Sequence, residues 1–174
     1  AHGGGFIGLS KGICTAICCR LAREGMLVFN FSYRQAPRHI FPAPIEDMAR
    51  ALAWTREHAA EFGGDPECIF IDGQSAGALL AAWIGAALAK PPLFDAIGIA
   101  PPVPLDCVRG LLLFYGAYDA ETVMQTRFPF IEMLARAMLG DDPDERARLA
   151  EIASPLRHVS ADMPPAFLCA GEAD

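Results

Sequence analysis

No apolar run in this chain is long enough to cross a membrane. The longest, Ala76 to Ala89, holds 14 residues, and a helical span needs about 20. There is no basic stretch either: 14 Lys and Arg stand against 21 Asp and Glu, a formal charge of −7. That balance excludes an electrostatic nucleic-acid binder. The six cysteines form no Cys-x-x-Cys pair, and no histidine stands at zinc-finger spacing from them, which argues against a metal site. A chain this long and apolar needs no disulfide scaffold, so Cys14, Cys18, Cys19, Cys68, Cys107 and Cys169 are expected as buried small hydrophobes in a reducing compartment. Signal-peptide pattern, internal repeat and low-complexity tract are all missing, and the expectation is a cytoplasmic protein. At 53% hydrophobic and 20% charged, neither a disordered chain nor a charge-rich coiled coil fits. Its 174 residues suit one domain with a real core.

What is present alternates regularly. Lys11 to Glu24 has Ile13, Ile17 and Leu21 at four-residue spacing and predicts a helix that stops at Gly25. Met26 to Phe31 has the composition of a short buried strand. A Pro-rich loop, Tyr33 to Pro44, leads into a predicted helix from Ile45 to Phe62, closed by the turn Gly63-Gly64-Asp65-Pro66. Cys68 to Ile71 predicts the next strand, Ala76 to Ala89 a core helix, and Gly110 to Tyr115 and Pro165 to Cys169 two more strands. Between those last two, helices are expected over Phe128 to Leu139 and Asp144 to Ile152, within a helical insertion at about 119–158. Strands spaced by helices predict an α/β architecture: a mostly parallel sheet with helices on both faces, binding its ligand beyond the strands' carboxyl ends.

Two motifs carry chemistry. Gly73-Gln74-Ser75-Ala76-Gly77 is a G-x-S-x-G element directly after a strand and directly before a helix, the context in which a serine oxygen is thrust out of a sheet as a nucleophile. Composition alone yields that pattern about 0.04 times in such a chain. The Ala76 N–H, at the helix N-terminus, is a candidate donor to a developing oxyanion. Upstream lies His2-Gly3-Gly4-Gly5, whose glycines allow backbone amides to turn toward an anion; chance yields it about 0.003 times. Gly3, Gly4 and Gly5 are therefore candidates for the rest of an oxyanion hole.

With both motifs placed, the chain resembles the hormone-sensitive-lipase-like branch of the α/β-hydrolases, the HGGG (bacterial family IV) esterases. Tyr33-Arg34-Gln35-Ala36-Pro37 and Phe41-Pro42-Ala43-Pro44-Ile45-Glu46-Asp47 are similar to that family's YRLAPE…FPAAxxD signature. Ser154-Pro155-Leu156, Met163-Pro164-Pro165 and Gly171-Glu172-Ala173-Asp174 resemble its later SPL…PP-strand-GxxD segment. Arg38, Gln74 and Ala78 depart from the pattern, and they bear on subfamily and substrate rather than on the chemistry. For Tyr33, Arg34 and Asp47 the preferred reading is an ion-pair and hydrogen-bond network that locks the loop. The alternative is an Arg34 that holds an acidic substrate.

A serine nucleophile needs a base and an orienting acid, which in this family follow in the order Ser, acid, His. The resemblance favours Asp174 as the acid over Asp119 and Glu172. No histidine follows Asp174. His2 belongs to the oxyanion loop, His39 to the Pro-rich loop and His58 to a helix, and His158 precedes the last strand. The expectation is thus a partial catalytic domain over residues 1–174, with the strand leading into His2 before it and the base after it. The resemblance implies a serine carboxylesterase without metal or organic cofactor, acting on small esters with short to medium acyl chains. An amidase or formamidase on the same triad, and a non-catalytic receptor-like binder such as the plant gibberellin receptors, are the alternatives. Phe6 and Ile7 are candidates for the pocket wall or for core packing.

Overall fold

A computed structural model describes residues 1–126 and 130–172. Its strands are β1 (Ile69–Gln74), β2 (Val108–Phe114) and β3 (Ala166–Cys169), in one parallel sheet of order β1-β2-β3. The helices are α1 (Thr15–Arg23), α2 (Ala43–His58), α3 (Ala76–Ala89), α4 (Pro92–Ala96), α5 (Ala120–Met124), α6 (Ile131–Leu139) and α7 (Pro143–Ala153), with 3-10 turns at Lys11–Cys14, Ala59–Phe62, Leu105–Cys107 and Pro155–His158. Phe128, where a helix was expected to begin, lies outside the described residues.

The core is built on α3, whose residues from Ala76 to Leu88 are all buried. Small residues let it lie flat on the sheet. At Gly85 an added Cβ would come within 2.6 Å of Leu111 on β2. Trp83 is fully buried; its ring meets Phe94 and Phe41 edge-on, and its indole N–H donates to the Ile152 carbonyl at 2.7 Å. That bond satisfies the one polar atom of a large apolar side chain. On the sheet, Ile69, Ile71, Leu111 and Leu113 are buried on the α3 side.

Two expectations are corrected. Met26–Phe31 forms no hydrogen-bonded ladder among the described residues, and Met26 and Leu27 are 51% and 42% exposed. The cause is a groove of about 790 Å³ between this segment and β1, with α2 on one side and α1 on the other. A strand needs a neighbour within about 4.8 Å to pair with, and among the described residues none stands beside it. Helix α1 forms where a helix is expected, and its Cys18 and Leu21 face the groove. Finally, only Cys14 and Cys107 among the cysteines are buried; Cys19, Cys68 and Cys169 are exposed and Cys18 is half-buried.

Register decides where the chemistry lies. Gln74 pairs with Phe114 and Phe114 with Cys169, so all three strands end level. Ser75 therefore leaves the sheet at its carboxyl edge, and the chain after β3 leaves from that edge too.

Candidate active site

Ser75 occupies a sharp turn between β1 and α3, with φ 51° and ψ −117°. Side-chain-bearing residues adopt a positive φ rarely and keep it only where neighbours impose it. Two close approaches impose it here. A Cβ on Gly73 would fall 2.1 Å from the Gly77 carbonyl oxygen, and a Cβ on Gly77 would fall 2.3 Å from that of Ala1. Both glycines of the motif are thus demanded by backbone contact. The Ser75 N–H is tied to the Phe114 carbonyl at 2.9 Å, and its side chain stays partly exposed. Ala76 opens α3, so its N–H belongs to the first-turn donors that intrahelical bonding leaves over.

The glycine loop reaches this turn directly. Ala1 pairs with β1 as an added strand residue would: its backbone nitrogen donates to the Asp72 carbonyl at 2.5 Å, and its carbonyl accepts from the Gln74 N–H at 3.1 Å. From there Gly3 passes so near the nucleophile that a Cβ on it would lie 3.1 Å from the Ser75 Cβ. Sequence positions 3 and 75 are thereby neighbours. Gly4 and Gly5 follow at φ 115° and 60°. Leu134 of α6 sits over Gly5, 2.9 Å from where a Cβ would be, so the helical segment after β2 overlies the loop.

His2 is fully buried beneath the loop. Its Nδ1–H donates to the Gly3 carbonyl at 2.7 Å, its Nε2 has no partner among the described residues, and its ring stacks on Tyr33 at 4.3 Å. Burial pushes its pKa below the ordinary value, with the Gly3 bond opposing, so the ring is neutral and serves as a wedge. Tyr33 Oη donates to the His2 carbonyl at 2.9 Å. Phe6 packs obliquely on Tyr33 and is buried, which makes it core; Ile7 is exposed.

The Tyr33–Arg34–Asp47 group forms an internal lock. Arg34 Nε donates to both Asp47 carboxylate oxygens at 3.0 and 2.9 Å, the Arg34 backbone N–H donates to Asp47 at 2.7 Å, and Arg34 Nη2 reaches Glu46 at 2.6 Å. Arg50 adds a bond to Asp47 at 2.7 Å. Burial alone would raise the Asp47 pKa, but Arg34 and Arg50 together hold it below the usual range.

Asp174 lies outside the described residues. Asp119 caps α5, accepting from the Glu121 N–H at 3.2 Å and the Thr122 hydroxyl at 2.9 Å, and Arg157 joins it to Glu121 and Glu151. Its pKa is lowered: burial would raise it, and the Thr122, Glu121 and Arg157 contacts outweigh that. The other histidines are engaged elsewhere. His58 stacks on Trp54, His158 Nε2 contacts the Glu151 and Ile152 carbonyls, and His39 is exposed in the Pro-rich loop. Leu134 and Tyr115 also stand at the turn without any motif to mark them; the Tyr115 hydroxyl donates to Gln74 Oε1 at 3.1 Å. Neither belongs to a spaced pattern, and only the fold brings them to the turn. Among the described residues no cluster of three or more His, Cys, Asp or Glu could hold a metal, and no helix is long and apolar enough to cross a membrane.

Known proteins are similar to this chain in sequence and in fold. The chain is 36% identical over 159 residues to Esterase LipQ of Mycobacterium tuberculosis, covering 89% of this chain and 36% of that protein. It is 33% identical over 168 residues to the probable carboxylic ester hydrolase LipM of the same organism, covering 96% and 38%. It thus spans well under half the length of these relatives. Carboxyl esterase 2 of Tuber melanosporum superposes with a TM-score of 0.76 at 25% identity, over 98% of this chain and 55% of that one. A family model for the alpha/beta hydrolase fold matches residues 1–174. The chain belongs to the alpha/beta hydrolase family.

Proposed function

We propose that this chain is the nucleophile-bearing part of a serine carboxylesterase acting on uncharged esters with short to medium acyl chains. The observation that carries the reading is the meeting of Ser75, held at positive φ at the head of α3, with the backbone of Gly3. The relatives named as esterases support the reaction class.

In this reading Ser75 Oγ attacks the ester carbonyl carbon while a base takes the hydroxyl proton. The carbonyl π electrons move onto oxygen, which accepts hydrogen bonds from the N–H groups of Gly3, Gly4 and Ala76, with Gly5 shaping the hole. Collapse breaks the bond to the alkoxy group, which leaves as the alcohol with the proton from the base. Water then repeats the sequence on the acyl-serine and releases the acid. One such donor is typically worth about 10²–10³ in rate. In this reading the base is a histidine outside these 174 residues; in support, His2 Nδ1 is committed to the Gly3 carbonyl, His58 stacks on Trp54, His158 contacts the Glu151 and Ile152 carbonyls, and His39 is exposed in the Pro-rich loop. Asp174 orients it: β3 ends at Cys169, level with Gln74, about 10 Å away across two strand spacings.

The test is hydrolysis of p-nitrophenyl acetate and butyrate by the full-length protein. Ser75→Ala is expected to reduce kcat by about 10⁴-fold or more with an unchanged melting temperature. A Ser75→Ala protein that turns over like the parent sinks the assignment.

A further inference from the structure

The glycine loop is held in shape by a neighbouring strip of chain. At its start, Ala1 is paired to β1 and the His2 carbonyl accepts from Tyr33 Oη. Midway, the Phe6 carbonyl accepts from the Ala36 N–H at 2.8 Å. The return of the loop is the difficult part, since Phe6 and Leu9 both sit at positive φ, 66° and 68°. Residues with a Cβ hold that conformation only when their surroundings fix it. At this end the holding comes from a side chain. Gln35 Nε2 donates to the Gly8 carbonyl at 2.8 Å and to the Leu9 carbonyl at 3.0 Å. A primary amide nitrogen carries two protons, so this one serves both carbonyls.

The Gly8 carbonyl is also the group that backs Gly4. The Ile7 and Gly8 N–H groups both return to the Gly4 carbonyl at 3.1 Å, closing the turn, and a Cβ on Gly4 would lie 2.1 Å from the Gly8 oxygen. If the Gly8 carbonyl swung, the Gly4 peptide would lose the wall that fixes its plane. We propose that Gln35 is a positioning residue for the oxyanion loop: its amide holds the Gly8 and Leu9 carbonyls and so sets the orientation of the Gly4 peptide beside Ser75. The inference rests on the reading of Gly3 and Gly4 as oxyanion donors. Gln35 itself touches neither substrate nor Ser75 in this role.

The test compares the full-length enzyme with Gln35→Leu, which removes both donors, and Gln35→Glu, which turns an anion toward two carbonyls. Gln35→Met, with an unbranched stem, replaces Gln35→Leu if that variant folds poorly. With p-nitrophenyl butyrate, the apolar variant is expected to lose about tenfold in kcat with KM within about twofold, and Gln35→Glu to lose more. A trifluoromethyl ketone, whose serine adduct carries an oxyanion in the same place, should weaken in Ki by the same factor as kcat/KM falls. Hydrogen exchange over residues 3–9 should quicken while the melting temperature stays put. Unchanged kcat and Ki overturn the proposal, and so does a lowered melting temperature with kcat and Ki intact. Hydrolysis that survives Ser75→Ala overturns the nucleophile instead, and exchange over residues 3–9 then still decides whether Gln35 holds the loop.

Discussion

Ser75 keeps an unfavourable backbone because its neighbours on both sides are too close to let it relax. The contacts are backbone to backbone, which cannot yield as a flexible side chain would. Gly77→Ala places a methyl 2.3 Å from the Ala1 carbonyl oxygen and 2.7 Å from that of His2, so the strand end and the loop must both move. It is expected to cost at least about 1–3 kcal/mol, the usual range for overpacking, and to slow acylation of Ser75. A thermal melt together with the rate of inactivation by a p-nitrophenyl phosphonate checks both. Wild-type values for each would mean that the elbow tolerates a wider turn. At this scale the motifs were legible because they encode backbone requirements within a few residues. Gln35 carried no such mark as a clip, since its partners lie 27 and 26 positions away.

Among the elements, α2 matters to the site through the strip it anchors. Arg34 bridges residues 33–36 to Asp47 and Glu46 on that helix, and Tyr33, Gln35 and Ala36 in turn hold the glycine loop. Asp47 is depressed below its ordinary pKa of 3.8. A depressed carboxyl contributes stability that is complete above the unfolded pKa and is lost as pH falls through the folded one. Asp47→Asn is therefore expected to lower stability by about 1–3 kcal/mol at pH 7. The gap to the parent should close as pH drops below about 4, the unperturbed aspartate value. Denaturant melts at a series of pH values measure it; a gap independent of pH would show that the charge on Asp47 contributes nothing. Helix α3 was legible from end to end, being apolar all round and so buried all round. Helices α4 and α5, five residues each, were not, because so short a helix has no periodicity to display.

For the molecule as a whole, the consequence is apolar surface left open among the described residues. The groove between Met26–Phe31 and β1 is lined by Leu21, Leu27, Phe29, Leu52, Ile69 and Phe70, and β3 is exposed along its whole length. As a free 174-residue polypeptide the chain is expected to bind 8-anilinonaphthalene-1-sulfonate strongly and to self-associate through its sheet edges. A longer polypeptide that seats a strand in the groove should do neither. Dye fluorescence and light scattering at matched concentration test this, and a monomeric, dye-silent 174-residue chain would refute it. Ala1 pairs beside β1 in this way, since its two hydrogen bonds to Asp72 and Gln74 follow a parallel ladder. The sequence by itself determined the parallel α/β class, the elbow at Ser75 and the glycine loop at His2 to Gly5, because each depends on periodicity or backbone freedom written locally. Only the tertiary structure decided that Gly3 meets Ser75, that Leu134 covers Gly5 and that Gln35 clips the loop's return. Those contacts join residues far apart in the chain, and their energies exist only once the sheet has aligned the strand ends.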